Sequence, residues 1–122
     1  MKAMIVDDSK AMRRLLKSYV SRFAGAVVEA GDGVDALTLL EQDASPDLAF
    51  VDWDMPRMNG LELLQKIRSL EKFSSMQVVM VTAHNSMEDL GQALEAGAND
   101  FLMKPITEEM VEDKLRMLGL IH

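Results

Sequence analysis

Apolar positions along the chain fall into two alternating kinds of run. Five short, nearly unbroken runs read as strands buried on both faces: KAMIV (2–6), AVVEA (26–30), LAFVD (48–52), QVVMVT (77–82) and NDFLM (99–103). Between them, apolar residues recur every three or four positions, the period of a helix with one buried face. The first such segment is 10–23, through Met12, Leu15, Leu16, Tyr19, Val20 and Phe23. The others are 34–43, with Val34, Leu37 and Leu40 on one face, then 61–70, 86–97 and 108–121. Cap and stop residues agree with these limits. Ser9, Ser86 and Thr107 stand where N-caps belong, Gly25 and Gly97 where helices stop, and Glu108 and Glu109 in a first turn, where acids suit the helix dipole. Gly31-Asp32-Gly33 and Pro46 mark loops, and 56–60 a turn.

Strict β–α alternation implies a parallel sheet with helices on both faces. For five strands the common doubly wound solution is the flavodoxin-like order 2-1-3-4-5. The expected fold is therefore α/β, one domain over 1–122, with five helices. No repeat, low-complexity tract or linker interrupts it.

Composition narrows the class. Apolar residues at 48% and charged residues at 27% make an ordinary globular balance. With no cysteine there is neither a disulfide framework nor a thiolate metal site. No apolar run is long enough to span a membrane, and the acidic amino terminus is unlike a signal peptide, so the expected compartment is the cytoplasm. A net charge of −7 argues against a nucleic-acid surface. Most of the eleven methionines are expected to fill core space.

The strand ends carry the chemistry. In open parallel sheets, ligands bind at the carboxyl ends of strands near the switch point. Here the first strand ends on Asp7-Asp8, the third on Asp52, the fourth on Thr82 and the fifth on Lys104. The inferred order sets the first and third strands side by side, so Asp7, Asp8 and Asp52 should share a pocket. One pair of carboxylates about 4 Å apart repels by roughly 4 kcal/mol at an effective dielectric near 20. Either a proton is taken up or a cation sits among them. Hard oxygen ligands favour Mg²⁺, which usually completes its shell with waters and phosphate oxygens. Lys104 and Thr82 opposite would supply a positive charge and a hydroxyl donor, which suits a phosphoryl group. With no glycine-rich phosphate cradle and no Ser-His or Cys-His pair, Asp52 is the best candidate nucleophile.

The acid pair at 7–8, DWDMP at 52–56, VTA at 81–83 and KP at 104–105, with the intervals between them, resemble a response-regulator receiver domain of the CheY type over essentially the whole chain. The resemblance implies that Asp52 accepts a phosphoryl group from a sensor histidine kinase's phosphohistidine or from a small phosphodonor. It implies Mg²⁺ held by Asp8 directly, by Asp7 largely through water, by Asp52 and by the backbone carbonyl of Asp54. Lys104 and Thr82 would contact the phosphoryl oxygens, Phe101 would pack inward as Thr82 moves, and Lys104-Pro105 would be cis. Partner proteins would then dock on the last two helices and fifth strand, as in chemotaxis-type regulators. Such a protein catalyses only its own phosphorylation and dephosphorylation.

Two positions depart from the commonest receiver pattern: Asp54, two after Asp52, and His84, two after Thr82. Both border the phosphoryl group in receivers, so both are expected to set its lifetime, His84 otherwise being an exposed loop residue. Phe101 could also be plain core, Thr82 an ordinary sheet residue, and Trp53 either a partner contact or a rim aromatic. Arg57, Lys66 and Arg68 read as solvated charges. Met110, Met117, Leu120 and Ile121 are candidate exposed apolar residues for a partner or a dimer.

Other functions fit less well. VDWDM also resembles the start of haloacid-dehalogenase-type phosphatases, with Asp52 as nucleophile and Asp54 as acid/base, but those place the motif on their first strand. A flavin or nucleotide carrier would lack a phosphate-binding loop after the first strand, and a degenerate scaffold would not need all five key residue types. The Met start and the absence of a trailing linker favour a single-domain regulator over a receiver excised from a larger one.

Overall fold

The computed structural model describes residues 1–42 and 45–122. Five strands, β1 (Lys2–Val6), β2 (Ala26–Ala30), β3 (Leu48–Asp52), β4 (Gln77–Thr82) and β5 (Asp100–Met103), form one sheet in the order β2-β1-β3-β4-β5. Every pairing is parallel. The helices are α1 (Lys10–Val20), α2 (Gly33–Glu41), α3 (Gly60–Arg68), α4 (Met87–Glu95) and α5 (Glu108–Met117), with a 3₁₀ turn at Glu71–Phe73. This is the fold expected from the sequence.

The helices cover both faces. Leu16 and Val20 of α1 and Val111 and Leu115 of α5 pack on Ala3, Ile5, Leu48, Phe50, Val79 and Val81. Opposite them, Ala36 and Leu40 of α2, Leu63, Leu64 and Ile67 of α3, and Ala93 of α4 pack on Met4, Val6, Ala49, Val51, Val78 and Met80. Strand β3, sandwiched between the layers, is buried along its whole length. Each large side chain buried this way contributes roughly 1.5–3 kcal/mol, enough in sum to tolerate acids at the strand tips. Eight methionines (1, 4, 12, 55, 58, 76, 80 and 110) lie in or against these cores, whereas Met87 and Met117 are largely exposed.

Helix ends differ from the sequence expectation more than strand ends do. Helix α1 stops at Val20, where Ser21 Oγ donates to the Lys17 carbonyl at 2.6 Å and the Phe23 and Ala24 amides turn back to the Val20 carbonyl. Phe23 still packs on the core from that turn. Helix α5 stops at Met117 because Gly119 takes φ +76°, and Leu118, Leu120 and Ile121 pack on the core from outside it. Of the four candidate exposed apolar residues, only Met117 is largely exposed. Helix α3 ends at Arg68, two residues early. Helix α2 starts one residue early at Gly33 and buries Gly33, Ala36 and Leu40, leaving Val34 half-buried. Its expected extension to Asp43 lies outside the described residues. No helix among the described residues is long and apolar enough to cross a membrane.

Register decides what meets at the top of the sheet. Val6 pairs with Val51, so Asp7 is level with Asp52. Asp52 pairs with Val81 and Thr82 with Met103, which brings Thr82 and Lys104 to the same end.

Candidate functional site

Asp7, Asp8 and Asp52 converge as the topology requires, with one carboxylate oxygen of each within 4.8 Å of the others. Asp7 and Asp52 are buried, at 1% and 5% exposure, whereas Asp8 is exposed. Asp7 Oδ1 accepts from the Ser9 amide at 2.8 Å, while its Oδ2 is sealed from solvent with no hydrogen-bond partner. The Asp7 carbonyl accepts from Arg13 Nη1 at 2.5 Å. Across the pocket, Lys104 Nζ donates to Asp52 Oδ1 at 2.8 Å. The Lys104–Pro105 bond is cis.

Burial pushes the Asp7 carboxyl above the ordinary range; the Ser9 amide resists, and the charges of Asp52 and Asp8 reinforce it. Burial likewise raises Asp52, against the hydrogen bond and charge of Lys104 and with reinforcement from Asp8 and Asp54. Burial pulls Lys104 down, but the hydrogen bond and charge of Asp52, with the charges of Asp7 and Asp54, hold it above the usual lysine value. One ammonium thus faces several acids. An orphaned buried oxygen beside two further carboxylates, all hard donors, fits a hard divalent cation of the Mg²⁺ type.

Thr82 is buried, and its Oγ1 accepts from the His84 amide at 2.8 Å. The His84 ring lies between two acids. Its Nε2 is 3.0 and 3.1 Å from the Asp54 oxygens, and its Nδ1 is 3.1 Å from Asp89 Oδ2. The Asp89 hydrogen bond, then those to Asp54, raise the His84 pKa despite some burial. The imidazolium is the form that satisfies both acids, since only it donates from both nitrogens. His84 also stacks on Trp53, with ring centroids 4.7 Å apart and planes 19° apart. Trp53 is buried at 7% exposure, so it is neither a rim aromatic nor a free partner contact, and His84 is not a free loop residue.

Phe101 stands apart from the polar cluster. It is half-buried against the α2–α3–α4 layer and lines a groove between β5 and α5 with Met103, Met110 and Met117.

The loop after β3 is shaped by close contacts. A Cβ on Gly60 would overlap the Asp52 carbonyl oxygen, so only glycine lets α3 begin there. Asn59 and Glu62 form a reciprocal capping box at that start. Arg57 takes φ +65° and, although its side chain is 55% exposed, it is paired: its Nε reaches Asp32 Oδ2 at 2.7 Å and its Nη2 reaches Asp35 Oδ1 at 2.9 Å. The Arg57 hydrogen bond, with that of the Asp35 amide, holds the Asp32 carboxyl below the usual range. Arg68 is likewise engaged, donating to Gly97 O, Phe73 O and Asn99 Oδ1.

Sequence reading missed Asp89, Arg13 and the Ser9 amide as neighbours of the site. Asp89 stands three after the Ser86 cap and five after His84, so helical placement of 86–97 was enough to bring it near. Nothing local signalled Arg13.

Residues 3–116 match the family model of the response regulator receiver domain. A chemotaxis protein CheY homolog of Campylobacter jejuni is 40% identical over 116 residues, covering 94% of this chain and 89% of that one. Chemotaxis protein CheY1 of Helicobacter pylori is 38% identical over 119 residues, covering 97% and 96%. Among solved structures, chemotaxis response regulator CheY4 of Vibrio cholerae superimposes with a TM-score of 0.88 at 28% identity, covering 96% of this chain and 97% of that one.

Proposed function

The chain belongs to the response regulator receiver domain family, and from that premise we propose that it accepts a phosphoryl group on Asp52 and changes partners when it does so. The carrying observation is Asp52 itself: a carboxylate at the tip of β3, 5% exposed, with one oxygen bound by Lys104 and two further acids within reach. A carboxylate oxygen attacks phosphorus, the bond from phosphorus to the donor's imidazole nitrogen or acyl oxygen breaks, and the donor keeps that electron pair. Lys104 holds the Asp52 carboxylate in place before transfer and pairs with the phosphoryl oxygens after it.

Asp8, Asp7, Asp52 and the Asp54 carbonyl would hold Mg²⁺, which when bound neutralises the phosphoryl oxygens and the crowd of acids. The orphaned Asp7 Oδ2 supports this reading. After transfer the site carries roughly one more negative charge. The Thr82 hydroxyl, engaged by the His84 amide beforehand, turns to the phosphoryl group, and Phe101 packs inward behind it. Asp54 and His84, already hydrogen-bonded to each other, orient the water that ends the signal. The chain's catalysis extends only to its own phosphorylation and dephosphorylation.

The phosphodonor is a sensor histidine kinase. The downstream partner is a protein that docks on α4, β5 and α5, chemotaxis-type by analogy with the CheY relatives, and it is met in the cytoplasm. In this reading the receiver domain spans 1–122. Intact mass after incubation with acetyl phosphate, with and without Mg²⁺, tests the core of this. One metal-dependent phosphoryl addition, absent in Asp52→Asn, is the expected result. If neither acetyl phosphate nor a phosphorylated kinase adds mass, and beryllium fluoride with Mg²⁺ fails to bind, the chain is a scaffold.

A further inference from the structure

Resting on the metal-site reading above, we infer that Arg57 is a positioning residue that aims the Asp54 carbonyl by clamping the β3–α3 loop to the start of α2. Three observations converge on it. Arg57 occupies the left-handed region at φ +65°, a conformation a non-glycine residue keeps only where its surroundings hold it. Its guanidinium forks to two carboxylates on one neighbouring element, Asp32 at 2.7 Å and Asp35 at 2.9 Å. The next residue is fastened to the same place: the Gly33 amide donates to the Met58 carbonyl at 3.3 Å, and the Met58 side chain fills the space where a Cβ on Gly33 would stand 2.7 Å from Met58 Cγ.

The anchor is itself firm. Asp32 is 6% exposed and caps α2 by accepting from the Asp35 amide at 2.8 Å. At the other end of the loop, the Trp53 amide donates to Val81 O at 3.2 Å and its carbonyl accepts from the Gly60 amide at 2.8 Å. Residues 54–56 are therefore slung between two fixed points, with His84 holding the Asp54 carboxylate from the side. Where the Asp54 carbonyl points depends on where those points are. Arg57 is the one that a single substitution can release without touching the acids.

Charge and clamp predict opposite signs, which makes the inference testable. Removing a positive charge near the acids should tighten a divalent cation by simple Coulomb attraction. Releasing the clamp should weaken it, by about tenfold, the lower end of what losing a support behind a metal ligand typically costs. The experiment is calorimetric titration of Mg²⁺ into the metal-stripped protein for wild type, Arg57→Lys, Arg57→Ala and Arg57→Gly, with Lys66→Ala as a charge control and urea unfolding alongside.

Arg57→Gly takes a positive φ freely, so it keeps the fold while losing the fork. Arg57→Lys keeps the charge and loses the fork as well. Weaker Mg²⁺ binding in all three Arg57 variants, with Lys66→Ala unchanged or tighter, is the expected result. Binding in Arg57→Gly and Arg57→Ala as tight as wild type, or tighter, overturns the clamp. Absence of Mg²⁺ binding by wild type overturns the metal site itself, and the clamp with it.

Discussion

Two glycines at helical positions should respond to alanine with opposite signs. Gly91 lies within α4, exposed, and an added Cβ meets nothing within 4 Å. Alanine there gains helix propensity and restricts the unfolded chain, so Gly91→Ala should stabilise by about 0.5–1 kcal/mol. Gly60 is the first residue of α3, and its added Cβ would overlap the Asp52 carbonyl oxygen and lie 2.9 Å from Trp53 Cα, inside the 3.0 Å that real Cβ contacts respect. Both neighbours are backbone at the tip of β3, which cannot swing aside as a side chain can. Forced overpacking costs typically 1–3 kcal/mol. Displacing the helix start also strains the 2.8 Å bond from the Gly60 amide to the Trp53 carbonyl, whose loss costs about 0.5–1.5 kcal/mol. Set against a propensity gain of about 1 kcal/mol, the net for Gly60→Ala is a destabilisation of roughly 1–3 kcal/mol. Urea unfolding followed by circular dichroism, at fixed pH and with chelator present, measures both variants. Equal midpoints for Gly60→Ala and wild type would refute the reasoning, because the close approach of α3 to the Asp52 carbonyl would then be adjustable at no cost.

The site itself yields three more expected outcomes. Asp7→Asn should stabilise the metal-free protein by about 1–2 kcal/mol, because an orphaned buried carboxylate oxygen gives way to a neutral amide facing acceptors; urea unfolding in chelator reads it, and a loss of stability would contradict the orphan. Asp54→Asn and His84→Ala should each lengthen the phosphoryl half-life severalfold, measured as the decay of phosphorylated protein by intact mass; wild-type decay in both would end the water-orienting role. The Asp32 carboxyl is held low in the fold by Arg57 and the Asp35 amide, so its contribution is present above the unfolded pKa, near 4, and is lost as pH falls through the folded value. The stability difference between wild type and Asp32→Asn should accordingly be full at pH 6 and shrink below pH 4, and a difference that grew with acid would show the opposite linkage.

Strands and the acids at their tips were legible because both signals are local: an apolar run and the polar residue directly after it. Helix ends were less so, because the core continues past them. Phe23, Leu118, Leu120 and Ile121 keep helical spacing and pack on the core from turns, and periodicity alone cannot separate the two; for α5, Gly119 was the available cue. The capping box at Asn59 and Glu62 was also present in the sequence. The pairing of Arg57 and most of the bonding of Arg68 were hidden because those partners, Phe73 O apart, lie 22–25 and 29–31 residues away, a distance no pattern spans. The Trp53–His84 stack similarly needed the turn geometry that brings the ends of β3 and β4 level.

The register that sets Asp7 level with Asp52 also bears on how the protein is made. Synthesis delivers Asp7, Asp8 and Asp52 long before Lys104, the only ammonium bonded to any of them among the described residues. While the later part of the chain is still on the ribosome, any pairing of β1 with β3 must crowd three carboxylates together without that counter-charge. Repulsion of a few kcal/mol at such distances opposes that pairing unless a proton or a cation relieves it, and Lys104 adds its counter-charge only once β5 has emerged.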